Sequence, residues 1–161
     1  MKKRFALPLL FLLASCSRPI ALDSTPSASA TPSITAPASI TVDEFSLSQI
    51  SGSGCGMTLW RPDRTANDRF IFFNGLQPQS MEMRINGQMM QFDRIQASGT
   101  EIYGQSTAQI FRSQNGAITV QVNVTLGKRG EIETVDIPEG SLRVITDDSE
   151  ITIPVVGNAG C

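Results

Sequence analysis

The sequence predicts an all-β domain, a small antiparallel barrel or sandwich of about nine or ten short strands closed by one disulfide. Three observations carry this expectation. Apolar residues alternate with period two along many short segments, and no long stretch shows helical period. Turn residues recur between those segments. Of the three cysteines, one has a separate role near the N-terminus, which leaves Cys55 and Cys161 as a pair.

Taken in order, the chain opens with Lys2, Lys3 and Arg4, then an apolar run from Phe5 to Leu13 broken only by Pro8. A positive cluster before so short a run reads as a secretory signal, because a bilayer span needs roughly twenty apolar residues. The run ends Leu13-Ala14-Ser15-Cys16, small residues ahead of a cysteine. A lipoprotein signal peptidase cleaves such a site before a diacylglyceryl-modified cysteine. Residues 1–15 are thus expected to be removed and Cys16 to carry the roughly two acyl chains that stable anchoring requires. The alternative is an ordinary signal with a chance cysteine. Ser17, not Asp, follows Cys16, so the expected site is the outer membrane, with the domain in the periplasm or at the surface.

After Cys16, residues 17–41 are nearly all Ser, Thr, Ala and Pro, with Arg18 and Asp23 the only charges and no aromatic side chain. So little apolar surface cannot support folding, and the segment reads as a disordered linker. Pro19, Pro26, Pro32 and Pro37 favour extended backbone, giving a reach between roughly 28 Å as coil and about 78 Å if fully polyproline-like.

The remainder, 42–161, is long enough for one β-domain with a real core. Expected strands are Phe45–Ile50, Cys55–Trp60, Phe70–Phe73, Met81–Ile85 with a return through Met90 and Phe92, Tyr103–Phe111, Ile118–Leu126, Glu131–Ile137, Leu142–Thr146 and Ile151–Val156. Ile118, Val120, Val122, Val124 and Leu126 give the clearest alternation. Asn86-Gly87 is a hairpin signal, since both residues tolerate positive φ. Gly127-Lys128-Arg129-Gly130 and Asp147-Asp148-Ser149-Glu150 are further turns. Pro154 cannot donate to a ladder, which predicts an edge for the last strand.

Cys55 and Cys161 are expected to pair in an oxidising compartment, the alternative being two buried thiols. Closing a loop of about 105 residues is worth roughly 4.7 kcal/mol by the chain-entropy argument. Gly52, Gly54 and Gly56 around one cysteine, and Gly157 and Gly160 before the other, permit the close backbone approach that a bridge needs.

Composition argues against catalysis. The chain has no histidine, which removes the commonest general base, the Ser-His and Cys-His pairs and the usual zinc ligands. Asp63 and Asp68 fall in a mixed-charge polar stretch. Asp147, Asp148 and Glu150 lack the spacing of a calcium loop, and a polar hairpin explains them. Glu131 and Glu133 read as one solvated strand face. Ser51 to Gly56 lacks the Lys and the helix of a phosphate loop. No cofactor is expected. Without Lys2, Lys3 and Arg4, ten basic residues face fifteen acidic ones, so nucleic acid is not an expected partner, whereas a basic protein partner is compatible. Met81, Met83, Met89 and Met90 could bind Cu(I) or a partner, but their alternation predicts core. Trp60, a candidate binding aromatic, is expected to pack at a core or rim.

One stretch carries a family resemblance. Ala97-Ser98-Gly99, Tyr103, Ile110-Phe111 and Asn115-Gly116-Ala117 resemble the signature of the membrane-bound inhibitors of C-type lysozyme. The resemblance covers about twenty residues. It implies an eight-stranded barrel on a lipid anchor, with a disulfide joining early and late strands. In that family a serine and a lysine enter the lysozyme cleft; Ser98 matches the serine, on an expected exposed loop Ala97–Thr100. Asn115 stands where the lysine would be, and Arg112 is the nearest cation. Ser98, Arg112 and Asn115 are therefore the candidate partner-binding residues. The leading expectation is a non-enzymatic envelope lipoprotein whose β-domain binds a protein or envelope component. Lysozyme inhibition is the second reading, and a metal-binding protein or hydrolase the third.

Overall fold

The computed structural model describes residues 39–52, 54–64, 69–130 and 132–161. The signal, Cys16 and the linker up to residue 38 lie outside these, as do Asp68 and Glu131. Nine strands form: β1 (Val42–Asp43), β2 (Gly56–Trp60), β3 (Phe72–Asn74), β4 (Met81–Ile85), β5 (Gln88–Ile102), β6 (Gln105–Ser113), β7 (Thr119–Thr125), β8 (Thr134–Ile145) and β9 (Glu150–Gly160). From β2 to β9 each strand pairs antiparallel with the next, and β9 returns to pair with β2. The result is a closed eight-stranded up-and-down barrel, with β1 added beside β4. Closure pairs the first barrel strand with the last, so neither β2 nor β9 is left as an open edge.

Alternation decides which side chains fill the barrel. Phe72, Met81, Met83, Phe92, Phe111, Val120, Val122, Leu142 and Val144 are all fully buried in one cluster. Phe72 and Phe111 meet edge to face, with ring centroids 5.6 Å apart. Eight strands enclose a space that side chains can just fill, and here they do. The expectation of core positions holds for Met81 and Met83, with Met90 partly buried against the same cluster.

One end of the interior is polar. Asn74, Gln105 and Gln109 occupy inward positions and are at most 1% exposed. Asn74 Nδ2 donates to Gln105 Oε1 (2.6 Å) and Gln105 Nε2 to the Gly75 carbonyl (3.0 Å). Arg94 donates to Gln109 Oε1 and the Gly104 carbonyl, both at 3.1 Å. Asn74 Oδ1 has no partner among the described residues.

The seam between β2 and β9 closes the barrel, and the disulfide sits at its end. Gly56 pairs with Gly160, and Cys55 and Cys161 follow immediately, with Cα atoms 4.3 Å apart. A side chain at Gly157 would overlap the Thr58 carbonyl and crowd Leu59. One at Gly160 would overlap the Glu133 carbonyl, and one at Gly56 that of Asn74. Gly157 thus serves a close approach across the seam, and Gly56 and Gly160 close approaches to the strands on either side of it, whereas Gly52 and Gly54 meet no such crowding. Thr58 Oγ1 donates to Asn158 Oδ1 across the seam at 2.7 Å.

Several expected elements differ. Phe45–Ile50 is not a strand. Phe45 makes an isolated bridge to Phe70, and Leu47–Gln49 is a 3-10 turn. This arm lies on the outer wall, where Phe45, Phe70 and Phe73 form a second apolar cluster with Ile50, Trp60 and Met89. Trp60 stacks edge-on against Phe70 at 6.1 Å, the packing role expected of it. Ala97–Thr100 is not a loop: it lies inside β5, where Gly99 (φ 82°) takes up a bulge between Ser98 and Glu101. The turn falls instead at Tyr103-Gly104, whose φ values of 49° and 72° suit a primed hairpin turn as do those of Asn86-Gly87. Tyr103 therefore begins no strand.

The expected strands Glu131–Ile137 and Leu142–Thr146 are, where described, one strand: β8 runs from Thr134 to Ile145 with a bulge between Ile137 and Gly140, and Ile132 and Glu133 precede it as a bend. Nor is β9 an edge strand, since it pairs with β8 throughout and with β2 from Val156 to Gly160. Pro154 lies beyond the end of β2, so its missing N–H breaks no ladder.

The hairpin before β9 is as expected. Arg143 donates two bonds of 2.7 Å to the Glu150 carboxylate. Those bonds, rather than the weaker charge attraction, hold the Glu150 carboxyl below its ordinary range. The pair's stabilisation is therefore present above the unfolded value and lost as pH falls through the folded one. Both groups are exposed, so it is small.

Candidate functional site

With the barrel filled by its own side chains, the candidate surfaces lie on its outer wall. Outward residues follow from the same alternation. On β6 these are Ser106, Ala108, Ile110 and Arg112; their ladder partners on β5 are Glu101, Ser98, Gln96 and Asp93, and Ala108, Ile110 and Arg112 pair on β7 with Asn123, Gln121 and Thr119. One row of partners runs Ser98, Ala108, Asn123, Ser141 across four strands. Their side chains are short. The wall dips there.

Two adjoining depressions result. One, about 230 Å³, is lined by Gln96, Ser98, Ala108, Gln121 and Asn123 among others. The next, about 290 Å³, shares Asn123 and adds Thr125, Glu139, Gly140 and Ser141. Together they form a shallow trough whose polar groups are mostly neutral amides and hydroxyls. Such groups both donate and accept hydrogen bonds.

A larger groove, about 550 Å³, lies nearer the other end of β5 and is lined by Ser51, Glu82, Gln88–Gln91, Gln114 and Asn115. Glu82 faces outward between inward Met81 and Met83, yet it is only 4% exposed because the arm carrying Ser51 lies over it. Ser51 N–H donates to Glu82 Oε1 at 2.8 Å, and Gln91 Nε2 reaches Ser51 Oγ at 3.4 Å.

The three residues suggested by the family resemblance are not brought together. Ser98 is exposed in the trough, and Asn115 lines the groove. Arg112 is exposed between them, four residues and about 13 Å along β6 from the partner of Ser98. Among the described residues no acid lies within 4.0 Å of Arg112. Asn115 Oδ1 is committed to its own turn, accepting from Ala117 N–H (3.1 Å) and lying 2.7 Å from Ser113 Oγ.

Glu82 was not singled out by sequence, because a polar residue between two apolar ones reads as an ordinary solvated position. Only the arm's packing reveals it. The amides of Gln105 and Gln109 did carry a signal: both fall in the inward phase of Phe111. Among the described residues, no three His, Cys, Asp or Glu side chains are grouped to hold a metal ion. The Glu150 carboxylate is taken up by Arg143.

Neither family models, curated proteins nor solved structures give a match to this chain.

Proposed function

We propose that this protein is a non-enzymatic, membrane-tethered binding domain that holds a protein or envelope component against the outer wall of β5–β8. The carrying observation is the trough itself: a row of short outward residues from Ser98 to Ser141, on a barrel whose interior is occupied by its own core. The absence of histidine from the sequence favours binding over hydrolysis. Lipid on Cys16 and the 17–41 linker would let the domain search a shell within tens of ångströms of the membrane. That reach suits a partner fixed in the same envelope. Inhibition of C-type lysozyme is the second reading. It would act through Ser98, which opens onto the trough from a paired strand.

Filling the trough tests the proposal. Ala108→Trp places a large ring over it without entering the core, so melting should change little. The yield of envelope partner cross-linked in cells and recovered with the full chain should fall about tenfold, the effect of losing roughly 1.4 kcal/mol of binding. Asp136→Trp, outward on the far end of β8, should leave that yield intact. Equal yields from both variants would exclude the trough.

A further inference from the structure

We propose that the groove beside Glu82 takes an extended segment of a partner polypeptide and grips it by one lysine or arginine side chain. This rests on the outer wall being the binding surface and names what one part of it recognises.

Glu82 carries the argument. The residue is almost wholly covered, yet one of its carboxylate oxygens stays open to the groove, where an incoming cation can pair with it. Among the described residues, Oε1 receives one backbone N–H, from Ser51, no donor reaches Oε2, and no basic side chain lies within 4.0 Å. Arg84, next outward on β4, turns its Nε to the Gly87 carbonyl at 3.1 Å. A groove far larger than one water needs opens onto this carboxylate.

The wall of the groove supplies a second, independent feature. Gln88–Gln91 pair with β4 alone, because β6 has ended at Ser113, which pairs with Phe92. In an antiparallel ladder alternate residues point their N–H and C=O to opposite sides. Some of these groups therefore face the groove with no strand beside them. An extended backbone laid there would continue the sheet, as in strand-addition recognition. It would stand two strand spacings from β4, about 9.5 Å. The four-carbon stem of lysine, or the longer arginine, crosses Gln91 to span that distance with the Glu82 side chain. Met89 offers the stem an adaptable apolar flank, and the guanidinium of arginine can meet a carboxylate bidentately. The acidic excess of the chain attracts such a segment.

The experiment uses the full chain, ¹⁵N-labelled, in detergent micelles. Three capped peptides serve as probes, each with four glycines around a central lysine, arginine or norleucine. The lysine and arginine peptides should shift the amide signals of Met89, Gln91 and Asn115, binding about tenfold more tightly than the norleucine peptide. In Glu82→Gln that preference should vanish, while the spectrum elsewhere stays that of the folded wild type. Equal binding of the norleucine peptide would keep the groove as a site but overturn the cation. A lysine preference surviving in Glu82→Gln would overturn the role of Glu82. Shifts confined to the trough would overturn the groove and leave the trough standing.

Discussion

The double variant Cys55→Ser/Cys161→Ser is expected to melt about 20 °C below the wild type. The bridge spans a sequence separation of 106, and a loop near that length restricts the unfolded chain by roughly 4.7 kcal/mol. For a domain of this size each kcal/mol moves the melting point by about 4 °C. Location adds to length. The bridge pins the one seam that joins the first barrel strand to the last, where β2 and β9 share five residue pairs. Without it the barrel can open from that seam while the other ladders persist. Thermal unfolding with and without reductant measures the effect, and reduction of the wild type should reproduce the variant. A difference under about 3 °C would mean that the seam's ladder and packing suffice alone.

Cys16→Ser is expected to remove the protein from the membrane fraction altogether. The motif Leu13-Ala14-Ser15-Cys16 is the reason we propose this cysteine as the lipid carrier. Among the described residues no helix is long and apolar enough to cross a bilayer. Two acyl chains hold a protein stably where one gives only marginal binding, so their loss is close to all or none. Fractionation after a high-salt wash reads the outcome. A variant that still sediments with membranes would show that something other than lipid anchors the chain.

Much of the barrel was legible because alternation is a local property. Val120, Val122 and Val124 declare the inward face of β7, and Asn86-Gly87 declares its hairpin. What escaped depended on distant partners. Gly99 reads as a turn residue in isolation, yet Thr107 Oγ1 accepts the Thr100 N–H at 3.0 Å and the strand continues through a bulge. Pro138 lies at the bulge in β8, where the register with β9 shifts and two expected strands join as one. Pro154 looks like an edge and instead overhangs a shorter neighbour. Phe45 has the character of a strand residue, but the aromatic patch on the outer wall draws it and the following arm into a cover.

The site was less legible than the fold for the same reason. Ser98, Arg112 and Asn115 are near one another along the chain, but they fall on β5, on β6 and in the turn after β6, spread across the wall. The trough exists because Ser98, Ala108 and Ser141 are small and fall in one row with Asn123 across β5–β8, which only the register can disclose. Glu82 is unremarkable in sequence until the arm buries it.

A photo-reactive side chain introduced at Gln121 tests the central claim most directly. Gln121 faces outward in the trough, paired with Ile110 and Arg143. Irradiation of intact cells should yield discrete cross-linked species from Gln121 and none from the same group at Asp136, which also faces out but lies beside the β2–β9 seam. Identical products from both positions, or none from Gln121 while Asp136 cross-links, would contradict a binding surface at the trough.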